Sequence, residues 1–351
     1  MSINIDKYTA DSSHWRGILD GEGTFMLPRP DTRAGRPRKV GIEVEFADLE
    51  PESVARCVMS CLGGTARDVG HLEWRVEGTA LGEVRIFRDV ALRKKGGALM
   101  QAGLRLAGDL IPLELVTDPV DPQDFDRIEA LFDALRERGA TGTREGFMHG
   151  YGLHLNPEVP SLDAADVVPV VRAFALMEDW LRQNENLTEA RRLLPFIEPW
   201  PPGLVDRLSV DEAASWGWDE LIDAYLAETR SRNHSLDMLP LFLHVDEEGG
   251  GGMGLKDKLP DNVGARPTYH YRLPESRVDE VDWTLAREWN SWVIVERVAA
   301  NPALISALSA AWQAHRASVF DRRKDWAQAV AHLLAAPLGS GPQSDTGGVR
   351  A

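Results

Sequence analysis

Lys39-Val-Gly-Ile-Glu-Val-Glu-Phe-Ala47 is the stretch from which the rest of the chain is read. Val40, Ile42, Val44 and Phe46 fall on one side of a two-residue period, and Gly41, Glu43 and Glu45 on the other. That alternation predicts a β-strand with one apolar face and two carboxylates projecting from the opposite one. Carboxylates at i and i+2 on a strand lie about 7 Å apart at the backbone. At an effective dielectric near 20 they repel by roughly 2 kcal/mol. Water screens such a pair on an open surface, whereas inside a cleft the pair calls for a cation. Hard oxygen ligands, in a chain with only 2 cysteines, point to Mg²⁺ or Mn²⁺ rather than zinc.

Outward from this strand, Pro51 opens a helix in which Val54, Cys57, Val58, Cys61 and Leu62 make one apolar stripe, stopped by Gly63-Gly64. The spacing of Cys57 and Cys61 on one helix face is poor for a disulfide, and both read as small buried hydrophobes. Segments around His71–Val76 and Glu83–Asp89 predict two further strands, and Pro112–Thr117 another. A second helix starts at Asp121-Pro122 and turns Phe125, Ile128, Leu131, Phe132 and Leu135 inward. A strand follows over His149–Asn156, then a helix over Asp163–Leu181 and another over Trp218–Ala227. Thr268–Leu273 alternates Tyr269, Tyr271 and Leu273 against Thr268, His270 and Arg272. Helices over about 281–299 and 302–335 close the fold. Strands joined by turns or by single covering helices predict an α+β chain: a curved, mainly antiparallel sheet with flanking helices and a helical C-terminal part. Residues 1–36 read as an irregular lead-in and 37–335 as one domain with a mostly helical insertion at about 161–240. The tail 336–351 is expected to be disordered.

The 351 residues are 43% hydrophobic and 27% charged, an ordinary balance for a chain that buries a core. With 55 acidic against 39 basic residues the formal net charge is −16, which argues against nucleic acid as a partner. No apolar run approaches the length that spans a bilayer, and the polar N-terminus has no signal-peptide core. The expectation is a cytoplasmic protein with no membrane partner, an oligomer being compatible with the sequence. The 11 tryptophans are assigned to core packing, those at 283, 289, 292 and 312 by their helical spacing.

Taken by parity, Glu43, Glu45, Asp89, Glu114, His154, Asn156, His270 and Arg272 all stand opposite apolar positions of their strands. The order RKVGIEVEF, a short acidic strand, LELVTDP, GYGLHLNPE and a late HYRLPESR resembles the amidoligase family. These are carboxylate–amine ligases with the glutamine synthetase and glutamate–cysteine ligase fold, and the resemblance spans roughly residues 25–320. It implies a sheet curled into a funnel that admits Mg²⁺-bound (or Mn²⁺-bound) ATP. The γ-phosphate passes to a substrate carboxylate, and an amine then displaces phosphate to form an amide. The partners it implies are a small-molecule or peptide carboxylate and an amine donor.

By the same resemblance Glu43, Glu45 and Glu114 match metal ligands, with Asp89 as a further acid. His154 and Asn156 match nucleotide- or metal-contacting positions, and Arg272 the late-strand arginine that holds phosphate, with Glu275 and Arg277 close by as catalytic candidates. Many members carry Glu-x-Arg on the late strand, but here His270 takes the acidic position. Asn156 stands where many relatives have a second histidine. One metal ligand is therefore an imidazole, or one metal site is missing. Arg232 and Asn233, in SRNHSLD, are candidates for substrate contact, with helix capping as the plainer reading. Gly249–Gly254 satisfies G-x-G-x-x-G only formally. It reads as a flexible linker, or as a loop whose Lys256 or Lys258 closes over phosphates. A metal-dependent amide hydrolase and a catalytically inactive nucleotide- or peptide-binding member are the alternatives to a ligase.

Overall fold

The computed structural model describes residues 23–70, 72–88, 112–143, 150–185, 187–188, 191–192, 197–249, 252–318 and 323–335. Asp89, one of the candidate acids, lies outside them.

The strand expected around Glu43 forms as β1, Val40–Phe46, with Val40, Ile42, Val44 and Phe46 all fully buried. Each such side chain contributes about 1.5–3 kcal/mol on leaving water. The other strands are β2 (Thr65–Gly70), β3 (Glu73–Thr79), β4 (Gly82–Arg88), β5 (Leu113–Thr117), β6 (Leu153–Pro157), β7 (Leu236–Asp237) and β8 (His270–Tyr271). They make one open eight-stranded sheet in the order β2-β3-β4-β5-β1-β6-β8-β7. Each neighbouring pair is antiparallel.

Among the described residues nine α-helices accompany the sheet: α1 (Pro51–Leu62), α2 (Phe125–Glu137), α3 (Ala164–Glu185), α4 (Pro202–Leu208), α5 (Trp218–Glu228), α6 (Leu239–Glu248), α7 (Leu285–Ala299), α8 (Pro302–Arg316) and α9 (Arg323–Ala335). No single helix among these is long and apolar enough to cross a membrane. The apolar stripes of α1, α2, α3 and α7 join the buried face of the sheet in one core. Arg38, just before β1, is tied to this layer by a two-pronged ion pair with Glu296 of α7, both bonds 2.7 Å and both side chains buried.

Three expectations need correction. Thr65–Gly70 is a strand where none was read. It lies at the sheet edge with mostly exposed side chains, so it carries no apolar alternation. The chain enters it straight from α1 through Gly64 at φ +90°, where a Cβ would sit 2.7 Å from the Glu77 carbonyl. Cys61, in the last turn of α1, is exposed, and Leu62 takes the inward place. The helix expected over 302–335 is two helices, α8 and α9. Trp312 and Trp326 meet edge-on at 5.1 Å, whereas fourteen residues along one continuous helix would hold them about 21 Å apart.

Candidate active site

With the apolar stripes of α1, α2, α3 and α7 joined to one face of the sheet, strand pairing decides what the other face carries. Glu45 stands directly opposite Glu114 on β5, and Glu43 opposite His154 on β6. Gly41 faces Asn156 on the same pair of strands. Tyr271 of β8 pairs with Leu155 on the core face, which puts its neighbours His270 and Arg272 on the polar one. Asp237 of β7 pairs with His270, and Phe87 of β4 with Glu114. Glu43, Glu45, Glu114, His154, Asn156, His270 and Arg272 therefore share one face. Opposed side chains on neighbouring strands sit about 4.5–5.5 Å apart at Cβ.

Glu43 lies at the centre of this row. Asn156 Nδ2 donates to its Oε1 at 2.8 Å, and His154 Nδ1 lies 3.2 Å from its Oε2. Its side chain is 23% exposed and that of His154 8%, so the row opens to solvent above the glutamate. Burial alone would favour the neutral acid, but the bonds from His154 and Asn156 overcome it and hold Glu43 ionised far below the usual carboxylate range. The His270 ring centroid is 5.4 Å from that of His154. Burial drives His270 well below the usual histidine range, and its Nε2 is buried without a hydrogen-bond partner. One ligand atom from each of Glu43, His154 and His270 can be chosen so that all three lie within 4.8 Å of one another.

Glu45 turns one oxygen toward β6, where Gly152 N donates to Oε2 at 2.7 Å. Gly152 also explains the glycine run before β6. A Cβ there would lie 2.8 Å from Arg191 Nη2 and 2.9 Å from His154 Nε2. Arg191 is the residue that reading the sequence missed. It falls in a short helical stretch after α3 with no periodic signal, yet its guanidinium reaches back to the sheet. It donates to the carbonyls of Gly150, Arg272 and Pro274 at 2.5, 2.9 and 3.4 Å. Burial lowers its pKa to about 10, with the charge of Glu45 opposing the shift. Arg272 donates to the Arg232 carbonyl, and burial lowers it as well, against the pull of Asp237 and Glu45. Nε of both Arg191 and Arg272 is buried and unpartnered. Two cations with spare donors beside two carboxylates form a place that can take an anion and its counter-cation together.

The remaining candidates stand further off. Arg232 is anchored to Asp237 Oδ2 at 2.9 Å and to the Asn262 carbonyl at 2.8 Å. Asn233 contributes backbone bonds, its carbonyl accepting from Glu198 N and its N–H donating to Ser231 Oγ. Glu275 Oε1 accepts from the N–H and hydroxyl of Thr188 at 2.8 and 2.7 Å, and Thr188 Oγ1 in turn accepts from Arg191 N. Glu275 thus positions Arg191 rather than facing the row. Arg277 is not brought to the row. It joins a buried ionic group with Glu185, Arg287 and Glu288. In the glycine loop, Asp246 fixes Met253 N and Leu255 N at 2.8 and 2.7 Å, and Lys258 Nζ donates to the Met253 carbonyl.

The model of a family described as "putative amidoligase enzyme" matches residues 36–294, which run from before β1 into α7 and include every residue of this row. No curated protein and no solved structure matched the chain.

Proposed function

The chain belongs to the amidoligase family, and from that premise we propose that it is an ATP-dependent carboxylate–amine ligase working through an acyl phosphate, on a sheet that curls as in glutamine synthetase. The observation that carries this reading is the pairing of Glu45 with Glu114 across β1 and β5, beside Arg191 and Arg272 with their unpartnered Nε atoms. Mg²⁺-bound ATP would supply the phosphoryl group that activates the carboxylate.

The residues fit that cargo. Glu45 and Glu114 offer hard oxygens from facing strands, the donor type Mg²⁺ takes. Arg272 offers a fixed guanidinium to an anion, and its burial strengthens the interaction. In a chain of net charge −16 such an island of arginine is what draws an anionic substrate to one place. Phosphoryl transfer asks the protein for positioning and charge neutralisation rather than covalent chemistry, and the row contains no serine, threonine or cysteine. The carboxylate substrate is a small molecule or a peptide, and the amine donor enters from the open side above Glu43.

The test is ADP release from ATP and Mg²⁺ in the presence of pooled carboxylates, with and without pooled amines. Amine-dependent ADP release is expected from the wild type, falling at least ~100-fold in Glu45→Gln, in the range seen when electrostatic stabilisation of a transition state is removed. Amide cleavage without ATP, or ADP release unchanged in the variant, would contradict the reading.

A further inference from the structure

The polar row has two chemically different ends. At one, Glu45 and Glu114 present only carboxylate oxygen. At the other, Glu43, His154 and His270 present one carboxylate and two imidazoles. We propose that Glu43, His154 and His270 bind a late first-row divalent ion of the Zn²⁺ and Co²⁺ type in preference to Mg²⁺, as a site separate from the carboxylate pair. The proposal rests on the ligase reading only for what the ion serves, which is a second cation beside the Mg²⁺ of the nucleotide.

Four observations carry it. First, a tetrahedral ion with bonds of ~2.1 Å spaces its ligands about 3.4 Å apart. Glu43 Oε2 and His154 Nδ1 already stand 3.2 Å apart, and one ligand atom from each of Glu43, His154 and His270 can be chosen so that the three lie within 4.8 Å of one another.

Second, His270 Nε2 is a buried imidazole nitrogen with no partner. Burying a polar atom unpaired costs stability, and an ion would remove that cost. Third, Asn156 donates to Glu43 Oε1 at 2.8 Å, which fixes the carboxylate and leaves Oε2 turned to His154. An outer hydrogen bond that orients a ligating oxygen is how metal sites are held. Asn156 thus has a role as an orienting partner although it is not itself a ligand.

Fourth, the donor set decides the ion. Imidazole suits Zn²⁺, Co²⁺ and Ni²⁺, whereas Mg²⁺ prefers carboxylate, phosphate and water and gives up its hydration reluctantly. Two nitrogens out of three ligands therefore set the preference against Mg²⁺. The row would hold two cations of different kinds, sorted by ligand and not by affinity alone.

The experiment uses the full chain stripped of metal by a chelator, with Co²⁺ as the probe and no nucleotide, so it is indifferent to whether the ligase reading holds. Expected is one Co²⁺ per chain with visible ligand-field bands. Zn²⁺ should displace it, and Mg²⁺ in about 1000-fold excess should not, as the ligand preferences require. His154→Gln and His270→Gln should each weaken Co²⁺ binding at least ~10-fold, with folding checked by circular dichroism. His270→Glu, which restores an oxygen ligand, should let Mg²⁺ compete. Should a glutamine variant fail to fold, the Co²⁺-loaded wild type decides, because contact-shifted proton resonances from two imidazole rings are expected by NMR. Absence of stoichiometric Co²⁺ binding, unchanged binding in both glutamine variants, displacement by Mg²⁺, or no shifted imidazole signals would overturn the proposal.

Discussion

At the scale of the residue, Gly152 shows how closely the row is packed. Its N–H holds Glu45, and the space where its side chain would be is filled by Arg191 and His154. Both neighbours are ends of side chains and can shift, but Arg191 is held by three carbonyls and His154 by its place beside Glu43. Gly152→Ala should therefore push the groups the row needs out of position. We expect the variant to fold with a stability loss of about 1–3 kcal/mol, the usual cost of overpacking. Its kcat/KM should fall at least ~10-fold, as misplacement of this kind does. Thermal melting with steady-state kinetics checks both, and wild-type kinetics would show that the close approach has no bearing on the chemistry. The glycines before β6 were legible in the sequence as a close approach. Arg191, which makes the approach close, was not, because nothing local marks a side chain that crosses from the short helical stretch after α3 to the sheet.

At the scale of the element, α3 and α7 meet through buried charge as well as apolar packing. Burial raises Glu185 of α3 to about 8, Glu288 of α7 reinforces the shift, and Arg287 and Arg277 oppose it. Glu288 moves the other way, burial being overcome by Arg287, Arg277 and the bond to Glu185. The pair therefore shares one proton, carried by Glu185. The unfolded chain would release that proton near the ordinary 4.5, while the folded chain keeps it until about 8. Between these values the folded state binds more protons, so this group's contribution to stability is full below 4.5 and is lost as pH rises toward 8. Glu288, already ionised, adds no slope in that window. Glu185→Gln, which keeps the shape and a donor, should flatten the decline, as urea midpoints measured across the window would show. An unchanged slope would mean that the proton resides elsewhere. This cluster is also where Arg277, a catalytic candidate by sequence, stands. Five residues after Arg272, it looked like part of one late-strand motif, but β8 ends at Tyr271. Beyond it the chain passes Pro274 and Glu275 and delivers Arg277 to the ionic group. Parity holds along a strand and lapses where the strand stops.

At the scale of the whole molecule, one antiparallel sheet separates two environments. The apolar core with the stripes of α1, α2, α3 and α7 fills one face, while the described candidate ligands stand on the other. Much of this was readable because β1 alternates buried with half-buried positions along its whole length, and β5 and β6 bury the leucines on either side of Glu114 and His154. What was not readable lacked that constraint: β2 is an exposed edge, and β7 has two residues. The convergence of the row was a matter of register, which no single strand encodes. Pairings such as Glu45 with Glu114 and Glu43 with His154, and the arrival of His270 beside them, depend on how four separate segments come to lie side by side. The central claim is that this face receives Mg²⁺-bound ATP through its carboxylate pair. Calorimetric titration with a non-hydrolysable ATP analogue, with and without Mg²⁺, tests it most directly on the wild type and on Glu45→Gln and Glu114→Gln. The account predicts saturable binding that requires Mg²⁺ and weakens at least ~10-fold in each variant, as loss of a charge-assisted contact of about 1.5–3 kcal/mol would give. Binding that ignores Mg²⁺ or both substitutions, or no binding at all, would contradict it.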